Sequence, residues 1–119
     1  MAKFMLILRD SGDFDPGIGA EEIQKIIARY QKWRAGLEAK GKVADGQKLS
    51  DGEGRIVRRD GRSLAVSDGP FAESKEVVGG YFTLLAADYD EAVELSKDCP
   101  HLDFGSIEIR KIDELGSGD

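Results

Sequence analysis

The sequence predicts an α+β fold, an antiparallel sheet with two helices on one of its faces. Three observations carry this. Short apolar or alternating runs occupy Lys3–Arg9, Arg55–Arg59, Ser63–Ser67, Val77–Ala86 and Ser106–Ile112. Two other segments have helical spacing, Glu21–Lys40 and a shorter one from Asp88 to Lys97. Strands stand before, between and after the helices, in the order β-α-β-(β-hairpin)-β-α-β. At 119 residues the chain fits one domain, placed at residues 1–115 with a disordered tail at 116–119.

Each element has its own reason. Lys3–Arg9 is apolar and free of Gly and Pro. Asp10–Gly19 holds Gly12, Pro16, Gly17 and Gly19 and reads as a loop. In the first helix Ile23, Ile26, Ile27, Tyr30, Trp33 and Leu37 form one stripe. Glu21 and Glu22 suit its start and Lys40 its end, because of the helix dipole. Gly41 can take the left-handed conformation that stops it.

Lys42–Ser50 is a weaker strand, with Val43 and Leu49, and residues 51–54 turn. Asp60-Gly61 is a two-residue hairpin signal between the next two strands. Residues 68–76 form a loop, and Val77–Ala86 is rich in strand formers. Asp88 and Glu91 form a capping box for the second helix, and Pro100 closes it. Ile107, Ile109 and Ile112 mark a half-buried final strand.

This order is a ferredoxin-like split βαβ with an extra β-hairpin. The helices cover one sheet face. The other face needs a cover, and a second copy of the chain supplies one, so the expected assembly is a homodimer.

Composition excludes several function classes. Hydrophobic residues make up 40% and charged residues 34%, a globular balance. A net charge of −6 opposes direct nucleic-acid binding and attraction to anionic membranes. Cys99 is the single cysteine and His101 the single histidine, too few for a thiolate or imidazole metal site, and no cofactor fingerprint is present. The apolar run near Met1 is too short to span a bilayer and lacks a cleavage site, so the expected location is the cytoplasm.

The densest motif is Asp68-Gly69-Pro70-Phe71, followed by Glu73, Lys75-Glu76 and Gly79-Gly80-Tyr81. With the hairpin Val57–Ser67, Cys99-Pro100 and Ile107-Glu108-Ile109-Arg110, it closely resembles the DGPF branch of the YCII-related proteins. The resemblance covers most of the chain. It implies a dimeric α+β barrel, two ferredoxin-like sheets facing each other around a cleft. It also implies an unestablished activity and, for some members, a link to extracytoplasmic-function sigma factors. Other YCII-related proteins are associated with a His–Asp pair, and one branch with chlorinated hydroxyquinols. The histidine of that pair lies on the first helix, where this chain has none.

Two readings stand beside each candidate residue. Asp68 is either an acid–base carboxylate or an Asx-turn acceptor. Phe71, Glu73, Lys75 and Tyr81 either line a cleft for a small organic molecule or belong to a solvated loop and strand. Tyr30 and Trp33, three residues apart, form an aromatic wall with Arg34 beside it, or are ordinary core and dimer contacts. Gly79-Gly80 suits a bulge or a close backbone approach. His101 reads as a helix-end histidine near the last carbonyls, and Cys99 as a small buried hydrophobe. The functions these candidates support are a homodimer that binds a small molecule, a small lyase or isomerase using Asp68, and a partner module associated with a sigma factor.

Overall fold

The computed structural model describes residues 1–10, 17–69 and 77–113. The elements are β1 (Ala2–Asp10), α1 (Ala20–Ala39), β2 (Val43–Lys48), β3 (Arg55–Asp60), β4 (Ser63–Asp68), β5 (Val77–Ala86), α2 (Tyr89–Ser96) and β6 (Gly105–Lys111). A short 3₁₀ turn, Pro100–Asp103, precedes β6. The four-stranded sheet has the order β2-β5-β1-β6 with every neighbour antiparallel. This is the ferredoxin-like arrangement. β3 and β4 form a separate two-stranded ribbon.

Strand alternation decides what is buried. Phe4, Leu6 and Leu8 on β1 point at the helices, as do Phe82, Leu84 and Ala86 on β5. Leu6, Leu8, Leu37, Phe82 and Leu84 form the main cluster, with Tyr30 and Trp33 packed against it. Phe4, Ala86 and Ala92 form a second cluster under α2. Burying a side chain such as Leu84 contributes about 1.5–3 kcal/mol, so these few residues supply much of the driving force.

α1 ends in a Schellman motif. Lys42 N–H bonds Leu37 O at 3.0 Å, Gly41 N–H bonds Glu38 O at 2.9 Å, and Gly41 has φ +69°. The predicted apolar stripe is only half used. Leu37 is buried, but Ile23 and Ile27 in the first half are 41% and 47% exposed. That half of α1 reaches beyond the core residues of the sheet, so helical spacing alone overstates its burial.

The hairpin turn sits one residue later than the sequence suggests. Asp60 still pairs with Ser63, so Gly61 and Arg62 are the turn residues. Gly61 takes φ +63°, and no described non-glycine residue has positive φ. A glycine at the first central position meets the turn's left-handed requirement without strain. The weak strand of residues 42–50 is the shorter edge strand β2, and the final strand begins at Gly105, with Ile112 N–H bonding Lys3 O just past its end.

Gly79 and Gly80 serve both predicted purposes. The β1–β5 register passes from Leu8↔Gly80 to Arg9↔Val78, so Gly79 is the extra bulge residue. A Cβ on Gly80 would meet Gln47 O at 2.9 Å, so only glycine lets β2 approach there.

Candidate functional site

The face of the sheet turned away from the helices carries a built arrangement of polar groups. Directly opposed residues of antiparallel strands share a face. One row across all four strands is Gln47, Tyr81, Ile7 and Glu108. The next row is Asp45, Thr83, Met5 and Arg110. The inner strands therefore carry Tyr81, Thr83, Met5 and Ile7, and Asp45, Glu108 and Arg110 stand on the outer strands on both sides.

On one side Tyr81 Oη donates to Asp45 Oδ2 at 2.8 Å. This hydrogen bond holds the Asp45 carboxyl below its ordinary range and raises the Tyr81 phenol above its own. Tyr81 is therefore a persistent donor, not a ready acid. On the other side Arg9 Nε donates to Glu108 Oε1 at 3.0 Å, and Arg110 lies 3.5 Å from Glu108 Oε2. The Arg9 contact keeps Glu108 ionised to lower pH than an ordinary glutamate. Both groups lie open to water, so each ion pair stabilises the fold little. Chemically the surface offers hydroxyl and guanidinium donors and carboxylate acceptors around an apolar floor, which suits a flat molecule with polar edges.

The residues singled out from the sequence do not gather at one place. Tyr81 lies on this open face. Tyr30 and Trp33 lie on the opposite, helix-covered side. Trp33 packs edge-on to Phe82, ring centroids 5.0 Å apart, and donates from Nε1 to Leu95 O at 3.3 Å. Tyr30 bonds His101 and stacks near Phe104. Within the chain these are packing contacts. Arg34 spans α1 and β2, donating to Gly46 O at 3.0 Å and lying 5.9 Å over the Phe82 ring. A Cβ on Gly46 would crowd the Phe82 ring and the end of Arg34.

Asp68 closes β4 on the ribbon. Its carboxylate is 91% exposed and faces Arg55 at 3.4 Å. Phe71, Glu73 and Lys75 lie outside the described residues.

His101 departs from its sequence reading. Its Nε2 donates to Arg9 O on β1 at 2.8 Å, not to a helix-end carbonyl. The 3₁₀ turn opened by Pro100 directs the ring inward, where it is 4% exposed. Burial raises the Cys99 thiol, in keeping with a small packed side chain. A separate open groove of about 600 Å³ runs between α1 and α2, lined by Arg29, Lys32, Trp33, Lys40, Glu94 and Asp98. Its charges are of both signs and make no convergent set. Among the described residues no three His, Cys, Asp or Glu side chains gather as metal ligands, and no helix is long and apolar enough to cross a membrane.

Sequence reasoning missed Arg9, Asp45 and Arg110 as face-lining residues. The alternation in Ile107-Glu108-Ile109-Arg110 was signal enough for β6, because it puts Glu108 and Arg110 on one face. Asp45 gave no such signal, since β2 has a register shift between Val43 and Asp45.

Comparison with known proteins places these features in context. The model of the YCII-related domain matches residues 2–115. An uncharacterized protein of Rhizobium meliloti (strain 1021) is 34% identical over 58 residues, which is 47% of this chain and 47% of that protein. The chain thus spans about half the length of this curated relative. Among solved structures, 5-chloro-2-hydroxyhydroquinone dehydrochlorinase from Burkholderia phenoliruptrix AC1100, in complex with 2,5-dihydroxybenzoquinone, is similar with a TM-score of 0.49 and 18% identity, covering 93% of each chain.

Proposed function

The chain belongs to the YCII-related family, and from that premise we propose that it is a homodimer that holds a small, polar-edged organic molecule over its open sheet face. The observation that carries this is the pair of rows across that face. The Tyr81–Asp45 pair stands on one side and the Arg9–Glu108–Arg110 group on the other, with Met5 and Ile7 between them. A lone sheet face is an open floor. Ligand sites are concave and bury most of their occupant, so a second copy is needed as the opposite wall.

The motif beginning at Asp68-Gly69-Pro70-Phe71 supports placement in the DGPF branch. Phe71, Glu73 and Lys75 belong to the same proposed cleft through that motif. A regulatory tie to a sigma factor rests on this resemblance alone, and one buried cysteine suits the proposed cytoplasmic location. A pull-down that survives Tyr81→Phe and fails on surface substitutions would separate that partner role from ligand binding.

The enzyme form of the reading gives Asp68 the acid–base role. In a single chain this carboxylate is 91% exposed beside Arg55, so the role requires a covering surface from the partner. Asp68→Asn that binds normally and loses turnover would support it.

The binding reading is tested with 2,5-dihydroxybenzoquinone, a ring with oxygens on opposite edges, added to labelled protein. NMR shift changes centred on Met5, Tyr81 and Thr83 are expected. Saturable changes confined to the groove between the helices, or none at all, would overturn it.

A further inference from the structure

We propose that His101 is a positioning residue for Arg9: the buried imidazole holds the Arg9 carbonyl from the helix side of the sheet and so aims the Arg9 guanidinium at Glu108 on the open face. The proposal deepens the binding reading, in which Arg9 belongs to one side of the site, and rests on that reading for its bearing on a ligand.

Arg9 stands where the sheet is least regular. β1 ends at Asp10, the next residue. On the β5 side the register slips between Leu8 and Arg9, and such a bulge increases the local twist and re-aims the side chain beside it. On the β6 side the ladder starts only at Gly105, the partner of Asp10. No side chain can brace the peptide from Gly105, because a Cβ there would overlap the Arg9 carbonyl oxygen. The Arg9 and Glu108 side chains are 34% and 37% exposed, so packing fixes neither. An open ion pair returns little for the entropy of ordering two long side chains. How well the guanidinium is aimed therefore depends on the backbone beneath it.

The contact that fixes this backbone comes from the other side of the sheet. Phe4, Leu6 and Leu8 face the helices, and Arg9 alternates away from them with Met5 and Ile7. His101, 4% exposed, donates from Nε2 to the Arg9 carbonyl at 2.8 Å. The ring has little freedom of its own. Pro100 opens the 3₁₀ turn, Leu102 N–H bonds Cys99 O at 3.2 Å, and Phe104 N–H bonds His101 O at 2.9 Å. The Tyr30 hydroxyl meets Nδ1 at 3.0 Å. Both ring nitrogens are thus matched, as a buried polar group requires, and one of the two partners is the peptide that carries the guanidinium. On the open face the guanidinium reaches Glu108 Oε1 from Nε at 3.0 Å and from Nη2 at 2.9 Å.

Carboxyl NMR titration of Glu108 in the wild type, His101→Gln and His101→Asn tests this. A glutamine amide reaches the place of Nε2 and keeps a donor for Arg9. An asparagine amide reaches only the place of Nδ1, beside Tyr30. The bond from Arg9 is the first cause of the lowered Glu108 carboxyl, ahead of Arg110. In His101→Asn that carboxyl is expected to rise toward an ordinary glutamate, and in His101→Gln to stay near the wild type. A Glu108 titration unmoved in His101→Asn, with only the urea midpoint lowered, overturns the proposal and leaves His101 a packing residue. An equal rise in both variants overturns it too, because the donor at Nε2 would then be irrelevant. Should the variants fail to fold, the imidazole of the wild type decides through its nitrogen shifts and ring-proton exchange. A slowly exchanging Nε2–H supports the proposal. A ring protonated at Nδ1, or an Nε2–H that exchanges freely, overturns it. Binding of 2,5-dihydroxybenzoquinone keeps the two readings apart. If the wild type does not bind it and His101→Asn still raises Glu108, the ligand reading falls and the positioning role stands. If the wild type binds it and Glu108 is unmoved, the reverse holds.

Discussion

The Tyr30 hydroxyl and His101 Nδ1 stand 3.0 Å apart, although 71 residues separate them in sequence. The direction of this bond follows from the other ring nitrogen. His101 Nε2 faces the Arg9 carbonyl at 2.8 Å, and a carbonyl only accepts, so Nε2 carries the hydrogen. In the neutral ring Nδ1 is then an acceptor, and Tyr30 donates to it. The pair ties α1 to the end of β1 through the 3₁₀ turn. Tyr30→Phe leaves a buried nitrogen without a donor, at a cost of about 1–3 kcal/mol. Urea unfolding at neutral pH measures this, and an unchanged midpoint would show that the bond contributes nothing.

The same tyrosine gives an alkaline signature. Burial is the main reason its hydroxyl is pushed up to about 12 from an ordinary 10.0. The unfolded chain therefore ionises this group first. The stabilisation is fully present below pH 10 and is lost as pH rises through about 12. Wild type is expected to lose stability across that window more steeply than Tyr30→Phe. Tyr81, also raised, is compared through Tyr81→Phe, which should change the profile less because it lies open to water. Parallel profiles for wild type and Tyr30→Phe would refute the assignment.

Gly105 sits where a side chain cannot. A Cβ there would overlap the Arg9 carbonyl oxygen and lie 3.0 Å from Asp10 Cα, both backbone groups. The same carbonyl receives His101 Nε2–H, so a shift would strain the β1–β6 ladder and the histidine together. Gly105→Ala is expected to cost about 3 kcal/mol, the upper end for overpacking. Gly46→Ala should cost less, because it meets the Phe82 ring and the end of Arg34, which can move. Denaturant midpoints for the two variants give the ranking directly.

The elements that proved legible were those fixed by local chemistry. Val77–Ala86 was readable to the residue because β-branched and aromatic side chains fill it between loops. Gly41 and the Asp88–Glu91 pair marked helix ends through hydrogen bonds only a few residues long. The site was less legible because it depends on long-range register. Tyr81 and Phe82 are neighbours in sequence yet lie on opposite sheet faces, and Trp33 joins Phe82, not Tyr81. Aromatic spacing on a helix states a shared face without saying what that face meets. Asp68 was the most conspicuous carboxylate in the sequence, yet it lies on the exposed ribbon, a placement its neighbours do not encode.

The cap at α2 is one of these local features and can be weighed alone. Asp88 Oδ1 accepts from Glu91 N–H at 2.9 Å, and Glu91 Oε1 accepts from Ala87 N–H at 2.7 Å, one residue before the usual box position. Asp88→Ala is expected to cost about 1 kcal/mol. The loss should appear as faster hydrogen exchange at the first turn of α2, with β5 unaffected. Equal slowing or speeding of both would mean that the cap does not act locally.

The Tyr81–Asp45 pair offers the sharpest test of where the molecule binds. The hydrogen bond from Tyr81 is the first cause of the lowered Asp45 carboxyl, so Tyr81→Phe should bring that carboxyl back toward an ordinary aspartate. The pair's stabilisation is present above the unfolded aspartate value and is lost as pH falls through the depressed folded one. Carboxyl NMR titration reads this change, and global stability should hardly move because the pair lies open to water. On the binding proposal, removing the hydroxyl should also weaken any binding of the 2,5-dihydroxybenzoquinone probe by about tenfold, the value of one lost hydrogen bond. Tyr30→Phe, on the other side of the sheet, should leave that binding unchanged while lowering stability. If the two variants exchange these effects, the ligand sits on the helix-covered side, and the open face is only the surface through which two copies meet.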